Sequence, residues 1–311
     1  MTRRPLIGVG AVVIAVTIVL ATQLGPGTGR QAADASADPS AGTPTVPIGS
    51  TARPTIRPLP GHEVVGFVPY WEMDDGIAAH LAGTRLTTLA LFSVTHTKTG
   101  ALDTGQTGYQ RITGQIGRQL IREAHDRGVA VELTYTSFGP ARNQRLLGSA
   151  ELQDKTIDSL VALVDELRLD GIDVDIERID LDLVPAYGAF VGRLRDALRA
   201  EIPKAQVSVS TGAGRTGAAM AAAAAAAGAD RIILMGYDYH YGTSDVGASA
   251  PLDRRDGQDA DLVWSLDLYE SLGVPVDRTI LALPLFGMRW RVAGPEIGAS
   301  RLGDGAIWVP A

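Results

Sequence analysis

The sequence predicts an α/β fold in which parallel β-strands, each followed by an α-helix, form a barrel. First, short apolar runs alternate with longer amphipathic runs from residue 63 onward, which is typical of repeated strand–helix units. Second, seven such strands follow one another, which favours a barrel over an ordinary open sheet. Third, the strand at residues 170–177 carries acidic side chains at its carboxyl end, where such barrels place their reacting groups.

Strands and helices can be assigned in order along the chain. The predicted strands are residues 64–70, 86–94, 129–135, 170–177, 207–210, 232–237 and 279–285. The predicted helices are residues 112–127, 154–168, 181–200, 216–227 and 259–272. A doubly wound sheet is the alternative, but the glycine-rich phosphate loop that often follows its first strand is absent from this sequence. We therefore expect a (β/α)8 barrel of the TIM type.

The strand at residues 170–177 carries three carboxylates on one face. Alternate side chains of a strand point to opposite sides, so Asp173, Asp175 and Glu177 share a face, while Ile and Val occupy the other. Carboxylates inside a barrel are tolerated only when they hydrogen-bond, share protons or meet a ligand. A solvated edge strand and a structural cation site are the alternatives. Strict alternation with β-branched residues favours a buried strand with a functional end, and Asp170 is expected to close the preceding turn.

A second group of candidate residues ends the sixth predicted strand. Met235 and Tyr237 are two positions apart and should therefore share the face that points into the barrel. Tyr237 and Asp238 should then lie at the same carboxyl edge as Glu177. Such a stretch alone is more often core and loop than a site. Beside the acidic strand it becomes a candidate for substrate binding.

Composition excludes several classes of function. The chain has 311 residues, a formal net charge of −7, no cysteine and five histidines. It lacks the basic surface expected of a nucleic-acid-binding protein, and disulfides and thiol catalysis are excluded. The histidines show no paired metal-ligand spacing. We expect no metal and no cofactor, and acid–base chemistry that depends on carboxylates and tyrosines.

The first 62 residues differ in composition from the rest. Residues 1–29 contain two arginines followed by a chargeless apolar run at residues 6–21, which predicts an export signal or an uncleaved membrane anchor. The length of this run leaves cleavage open. Residues 30–62 are rich in Ala, Ser, Thr and Pro and are predicted to be a disordered linker. We therefore expect the barrel, at residues 63–311, to lie outside the cytoplasm, either secreted or anchored at the cell surface.

The two candidate segments resemble glycoside hydrolase family 18, the chitinase-like family. The fourth strand of that family carries Asp-Gly-x-Asp-x-Asp-x-Glu and the sixth carries Met-x-Tyr-Asp, and both patterns are complete here, at residues 170–177 and 235–238. Supporting similarity lies at residues 65–71, 237–252 and 281–287, within a similar region of residues 63–290. The segment at residues 237–252 is similar to the branch that includes bacterial spore-germination and cortex-cleaving enzymes.

The resemblance implies a retaining glycosidase that cleaves β-1,4-linked N-acetylglucosamine polymers with help from the acetamido group of the substrate. Glu177 would protonate the leaving oxygen and later act as base. Asp175 would orient the acetamido N–H, and Tyr237 would hydrogen-bond its carbonyl oxygen. Asp173 would share a proton or hydrogen bond with Asp175. Because crowded carboxylates cannot all ionise at neutral pH, Glu177 would keep its proton long enough to act as an acid.

Further side chains near the strand ends are predicted to contact the sugar. These substrate-binding candidates are Tyr70, Trp71, Met235, Asp238, Phe286 and Trp290. The aromatic residues among them would stack on sugar rings. Core packing is the alternative for each of them.

The sequence departs from the family pattern in three places. Residues 134–139 replace the Ser-x-Gly-Gly expected near the third strand, and Phe286 stands where the family often has tyrosine. After the seventh strand, residues 286–311 contain no helical repeat, whereas a parallel crossover usually needs a helix. Residues 306–309 are interpreted as part of a loop after strand seven rather than as strand eight. We therefore expect a barrel that is incomplete after strand seven.

Three functions stay open at this stage. The leading hypothesis is an exported hydrolase of chitin or peptidoglycan, a monomer that binds polysaccharide and has a possible N-terminal membrane anchor. The second is a lectin-like relative whose truncated barrel binds sugar without turnover, although retention of Glu177 counts against it. The third is a metal-dependent hydrolase that uses the acidic strand as a magnesium or calcium site.

Overall fold

A computed structural model describes residues 62–253 and 260–309, together with the backbone of the short strand β1 (Val12–Ile14). The predicted export segment (1–29) lies outside the described residues apart from β1, and so does the predicted linker (30–62) apart from residue 62. No helix in the described part of the chain is both long enough and apolar enough to cross a membrane.

Seven parallel strands form the main sheet. They are β2 (Val65–Pro69), β3 (Thr88–Thr95), β4 (Ala130–Phe138), β5 (Gly171–Glu177), β6 (Gln206–Gly212), β7 (Arg231–Met235) and β8 (Thr279–Leu283). They lie side by side in chain order from β2 to β8, and β1 pairs in parallel with β8. A doubly wound sheet would reverse its order at a switch point. The sequential order therefore confirms the prediction of an incomplete (β/α) barrel.

Eight α-helices occupy the described connections. They are α1 (Asp75–Leu81), α2 (Thr107–Thr113), α3 (Gln115–Asp126), α4 (Pro140–Leu147), α5 (Ala150–Leu167), α6 (Val184–Glu201), α7 (Arg215–Ala226) and α8 (Leu262–Ser271). Capping explains several ends: the Ser149 hydroxyl accepts a hydrogen bond from Leu152 N at the start of α5. The alanine-rich helix α7 lies close to α6, where a side chain at Gly188 would contact Ala223. Small residues thus allow these two helices to pack closely.

Several predicted boundaries differ from the structure by a few residues, and two differences matter for the connections around the site. The helix predicted at residues 112–127 is two helices, because Gly114 has an extended backbone between α2 and α3. The sixth predicted strand ends at Met235, two residues early. Gly236 follows it with its N–H bonded to Ala282 O, and a Cβ at this position would lie 2.5 Å from a Leu262 methyl group. Tyr237 and Asp238 are therefore in the loop beyond the strand rather than within it.

The inside of the barrel has two parts of opposite polarity. The apolar half consists of buried residues of β2, β3, β7 and β8, namely Val65, Phe67, Ala90, Phe92, Ile233, Met235, Ile280 and Ala282. The polar half consists of buried residues of β4, β5 and β6, namely Glu132, Thr134, Thr136, Asp173, Asp175, Ser208 and Ser210. A second, larger apolar cluster fills the space between the sheet and the helices. The polar half leads to the carboxyl end of β5.

The segment after β8 forms a hairpin. Strand β9 (Gly287–Arg289) pairs antiparallel with β10 (Ala306–Trp308), in register Gly287 with Trp308. The hairpin is separate from the main sheet. This confirms that residues 306–309 belong to the region after β8, the seventh predicted strand, and do not form an eighth parallel barrel strand.

Candidate active site

The carboxyl end of β5 is fixed by its neighbour β4 and helix α4. Asn143 is fully buried and its amide donates to the backbone oxygen of Glu177. The Ser137 hydroxyl donates to the Asn143 side-chain oxygen at 2.6 Å. Because one of these hydrogen bonds is buried and the other partly buried, they hold the end of the strand in one position. Glu177 is therefore presented from a rigid support.

Asp173 is the deepest of the three predicted catalytic carboxylates. The Ser210 hydroxyl donates to its two oxygens at 3.0 and 3.2 Å. Burial raises the pKa of Asp173 to about 8, and the nearby Glu132 carboxyl adds to this, while hydrogen bonds oppose it. These hydrogen bonds connect Asp173 to the neighbouring strand β6, and the sharing of a proton or hydrogen bond with Asp175 stays a prediction. Asp173 is therefore largely protonated at neutral pH.

Asp175 is buried between Asp173 and Glu177 on the same face of β5. Its Oδ1 has no hydrogen-bond partner among the described residues. Burial raises its pKa well above the ordinary value, and the charges of Glu177 and Asp173 raise it further. A buried oxygen without a donor is unfavourable in the free protein. Asp175 is not among the residues that line the cavity at this end of the barrel.

Glu177 lies at the mouth of the barrel and is only partly buried. Burial and, to a smaller extent, the Asp238 carboxyl raise the pKa of Glu177, and the Arg178 guanidinium lowers it. The resulting pKa is about 7. Asp238 has a left-handed backbone with φ of 62°, and burial raises its pKa to about 6. A carboxyl group with a pKa near 7 can both donate and accept a proton at neutral pH. Glu177 thus has the properties of an acid–base catalyst.

Tyr237 and Met235 lie beside this carboxyl group. Both are buried, and the Tyr237 ring meets Phe286 edge-on with ring centres 5.9 Å apart. Burial raises the pKa of Tyr237 well above its ordinary value, and the surrounding carboxylates raise it further. The phenol therefore keeps its proton and can donate a hydrogen bond.

A cavity of about 300 Å³ opens at this end of the barrel. Four predicted site residues line it: Glu177, Met235, Tyr237 and Asp238. The structure therefore brings together the ends of β5 and β7, as the sequence predicted. The cavity also has Tyr239 and Trp264 in its wall, which the sequence analysis did not identify.

Trp264 was missed because it belongs to a helix rather than to a strand end. It lies in the first turn of α8, where its backbone N–H donates a hydrogen bond to Asp261 Oδ1 at 2.7 Å. The Arg215 guanidinium lies 5.8 Å from the centre of its ring. In sequence, Trp264 belongs to an apolar helical pattern that is typical of core packing. Its capping residue was the only local signal of its position.

The other predicted aromatic residues lie outside this cavity. Tyr70 and Trp71 begin a short 3-10 helix after β2, and the exposed Trp71 ring meets Phe92 edge-on at 6.0 Å. Phe286 is buried behind Tyr237. The Trp290 indole donates to Gly242 O at 3.3 Å in the loop region beside the hairpin. Of the four, Trp71 has the most exposed ring at the barrel mouth and Phe286 the least exposed.

No group of three or more His, Cys, Asp or Glu side chains within the described ranges is arranged to hold a metal ion. On the acidic face of β5, the Ser210 hydroxyl donates to Asp173. The hypothesis of a metal-dependent hydrolase therefore receives no support from this arrangement.

The model of the glycosyl hydrolases family 18 matches residues 63–305. The chain belongs to this family. Membership agrees with the Asp-Gly-x-Asp-x-Asp-x-Glu strand and identifies the protein as a glycoside hydrolase of the chitinase-like type. Enzymes of family 18 act on polysaccharides that contain N-acetylglucosamine. The resemblance inferred from the sequence is thus confirmed.

Solved structures of other proteins have the same fold. The C-terminal domain of a chitinase-type protein from Desulfitobacterium hafniense DCB-2 is 20% identical, with a TM-score of 0.62 over 79% of this chain and 72% of that one. The Bacillus cereus spore cortex-lytic enzyme SleL is 16% identical, with a TM-score of 0.62 over 79% of this chain and 54% of that one. This chain thus spans about half the length of the Bacillus protein.

A chitinase from Trichuris suis, TsES1, is 16% identical, with a TM-score of 0.65 over 77% of this chain and 71% of that one. At these identities the structures establish a shared family 18 fold. No curated protein sequence matches the chain.

Proposed function

We propose that the protein is an exported, retaining glycosidase that hydrolyses β-1,4-linked N-acetylglucosamine polymers, with Glu177 as the general acid and base. The observation that carries this proposal is the row of buried carboxylates on β5. It ends in a cavity with a carboxyl group of raised pKa next to the protonated phenol of Tyr237. Proton donation at a glycosidic oxygen needs such a group at neutral pH.

The remaining site residues fit a reaction assisted by the substrate. The acetamido oxygen attacks the anomeric carbon while the bond to the leaving oxygen breaks and Glu177 protonates that oxygen. Asp175 accepts a hydrogen bond from the acetamido N–H through the oxygen that lacks a donor in the free protein. Tyr237 donates to the acetamido oxygen. The contact with Asp175 strengthens as positive charge develops on the acetamido group.

The second half of the reaction uses the same groups in reverse. The Glu177 carboxylate takes a proton from a water molecule, whose oxygen attacks the anomeric carbon and reopens the ring formed by the acetamido group. Two displacements at the same carbon retain its configuration. Asp173 keeps a proton beneath Asp175 because of its burial, accepts a hydrogen bond from Ser210 and supports the charge balance of the row. No protein nucleophile is needed.

The mouth of the barrel is proposed to hold further sugar units. Met235 and Asp238 contact the reacting sugar in the cavity, and the exposed ring of Trp71 offers a stacking surface. Trp264 adds a second aromatic surface in the cavity wall. Tyr70, Phe286 and Trp290 are proposed to support this surface from behind.

Export is proposed from the composition of residues 1–29, with two arginines before an apolar run. We propose that the protein acts as a monomer at the cell surface or beyond it, with the linker at residues 30–62 as a tether. Separating cells into cytoplasmic, membrane and external fractions tests this location. Detection only in the cytoplasm would refute it.

Incubation of the purified full chain with chitooligosaccharides and with peptidoglycan tests the activity. We expect products whose new anomeric centre keeps the β configuration, as observed by NMR. Glu177→Gln should lower turnover by about 10²–10⁴-fold, because it removes the proton while keeping the size of the side chain. Glu201→Gln, at the exposed end of α6, is the matched control and should keep full activity.

A lectin-like function is the second candidate. In the described sheet after residue 62, only seven parallel strands follow one another in chain order, whereas a complete barrel of this type has eight. This function predicts tight oligosaccharide binding by the wild type without any product after long incubation. Turnover that disappears in Glu177→Gln would exclude it.

A further inference from the structure

An ion pair crosses the base of the barrel interior, at the opposite end from the cavity. The Arg231 guanidinium, on the first residue of β7, donates to Glu132 Oε1 on β4 at 2.7 Å. Strands β5 and β6 lie between β4 and β7 in the sheet, so the contact spans two strands on the inside of the barrel. The residues that pair with the two partners on those strands, Gly171 and Ser208, are small. We call this ion pair the base brace.

The guanidinium of the base brace also reaches the first strand of the barrel. Arg231 Nε donates to the carboxylate of Glu63, which lies just before β2. One side chain can hold both carboxylates because arginine carries several N–H donors in a fixed planar arrangement. Strand β2 is the first of the seven strands and β7 the last but one. The contacts of Arg231 therefore act across the barrel rather than along the sheet.

Stability alone does not explain a buried ion pair at this position. The side chain of Glu132 is 1% exposed and that of Arg231 is 14% exposed. Burial removes both charges from water, and well-packed apolar side chains of similar volume are often at least as stable as such a pair. Apolar residues do fill the other half of the barrel interior. What charged, directional hydrogen bonds add is a defined geometry between the strands that they join.

The braced strands are connected to the candidate active site. Strand β4 pairs with β5 over the whole length of β5, which ends at Glu177. Strand β7 leads to Tyr237, just beyond its end. Both side chains line the cavity. Because hydrogen-bonded parallel strands form one continuous surface, the separation of β4 and β7 at the base affects how the ends of β5 and β7 converge.

We propose that the base brace positions the candidate active site: Arg231 and Glu132 keep the ends of β5 and β7 close enough for Glu177 and Tyr237 to share one cavity. This inference rests on the proposed function and adds to it two positioning residues that touch no substrate. Without the brace, the base of the barrel opens, the strand ends separate and water enters around Glu177.

The pKa of Glu177 reports whether the cavity has opened. Burial is the main cause of its value of about 7, and the charges of Asp238 and Arg178 also act on it. Asp175 and Tyr237 face the same carboxyl group. The brace lies at the other end of β5, about 20 Å away, so its own charges are remote. Entry of water should lower the pKa of Glu177 toward 4.5.

Loss of the Glu132 charge acts in the opposite direction. The charge of Glu132 raises the pKa of Asp173, so Asp173 ionises more easily without it. An ionised Asp173 raises the pKa of the next carboxyl group in the row, Asp175. A lower pKa of Glu177 therefore reports a change in geometry and not the lost charge.

Carbon-13 NMR of the full chain, labelled at the glutamate carboxyl carbons, measures this pKa without turnover. The signal of Glu177 is the one that Glu177→Gln removes. Arg231→Gln alone leaves the Glu132 carboxylate buried without a cation, which can prevent folding, so it is combined with Glu132→Gln. In this double variant, we expect the pKa of Glu177 to fall by at least about one unit. The kcat should fall roughly 10- to 100-fold, as expected when reacting groups are misplaced.

Two further variants separate positioning from stability. The Arg199 guanidinium, on α6, pairs with Asp230 at 2.7 Å at the same end of the barrel. Arg199→Gln is therefore the matched control and should lower stability while leaving the pKa of Glu177 and kcat unchanged. Arg231→Lys keeps a cation beside Glu132 and should retain most of the wild-type rate and pKa.

The outcomes distinguish this inference from the proposed function. An unchanged pKa of Glu177 in the folded double variant would overturn the role of the base brace and leave the proposed function intact. An equal fall in Arg199→Gln would also overturn it, since general loss of stability would then explain the effect. If the wild type cleaves neither chitooligosaccharides nor peptidoglycan while the pKa still falls in the double variant, the proposed function fails and the brace stands.

Discussion

The apolar and polar halves of the barrel interior are built from different strands of one parallel sheet and differ in the side chains that point inward. In the apolar half, residues such as Phe67 and Ile233 belong to one buried cluster. Burial of their apolar surface stabilises the fold. In the polar half, Glu132, Asp173 and Asp175 are just as buried, although burial of a carboxyl group opposes folding unless it is neutralised. One half therefore stabilises the barrel, and the other is retained for chemistry.

The polar half is neutralised by a different means at each level. At its base, Glu132 forms an ion pair with Arg231 at 2.7 Å. One level higher, Asp173 accepts hydrogen bonds from Ser210 and holds a proton. At the next level, Asp175 Oδ1 has no partner within the described ranges. Glu132 Oε2, at the base, also lacks a hydrogen-bond partner within these ranges, so compensation is incomplete at both ends of the row.

The comparison predicts opposite consequences for substitutions in the two halves. The largest effect on stability is expected for Phe67→Ala, which should lower the free energy of unfolding by about 3–5 kcal/mol. Urea unfolding measures this change. The rate per folded molecule should stay close to that of the wild type, because Phe67 does not line the cavity. A lower rate per folded molecule in this variant would contradict the assignment of stability to the apolar half and of chemistry to the polar half.

Asp175→Asn should have the reverse effect. We expect turnover to fall by roughly 10²–10³-fold, the usual loss when one group that stabilises the charged intermediate is removed. The melting temperature at pH 8 should not decrease, because a neutral side chain removes the unfavourable ionisation of a buried carboxyl group.

Asp170→Asn, directly before the same strand, provides the matched control for this change. Asp170 Oδ2 accepts from Val131 N at 2.7 Å and contacts His125 Nε2 at 2.9 Å. Weakening these bonds should lower stability by about 1 kcal/mol and leave turnover unchanged. If both variants lose stability to the same extent, the polar half is a structural element like the apolar half.

The polar half should make stability depend on pH. The pKa of Asp173 rises from 3.8 to about 8 on folding, so the folded protein keeps a proton that the unfolded chain releases above pH 4. Stability therefore decreases as pH rises from about 4 to about 8. Melting temperatures across this range should fall more steeply for the wild type than for Asp173→Asn. Parallel curves would show that this carboxyl group is not buried in the protonated form.

The smallest predicted effect is a shift in the pH dependence of the rate, caused by Arg178 next to Glu177. Glu177, with a pKa of about 7, must be protonated to act as an acid, so the rate should fall as pH rises through this value. Arg178→Gln removes a positive charge that lowers this pKa. The alkaline limb of the rate profile should then shift upward by less than about one pH unit, since the arginine is exposed to solvent. An unchanged or downward shift would contradict the proposed contact.

The order of strands and the position of the acidic row could be predicted from the sequence, because both follow from local periodicity. Alternation in residues 171–177 placed Asp173, Asp175 and Glu177 on one face, and they lie there in the structure. The hydrogen-bond partner of Asp173 could not be predicted in this way. It depends on Ser210, 37 residues away on the neighbouring strand, and on the register between the two strands.

The sequence by itself determined the repeated strand–helix pattern, the family motifs and the residue proposed as proton donor, because each depends on residues close together in the chain. Only the tertiary structure decided which side chains surround that donor. Trp264 and Arg215 come from the first turns of two different helices, and their approach to Glu177 depends on how these helices pack on the sheet. Side-chain neutralisation in the polar half likewise depends on pairing between strands, which no local pattern specifies.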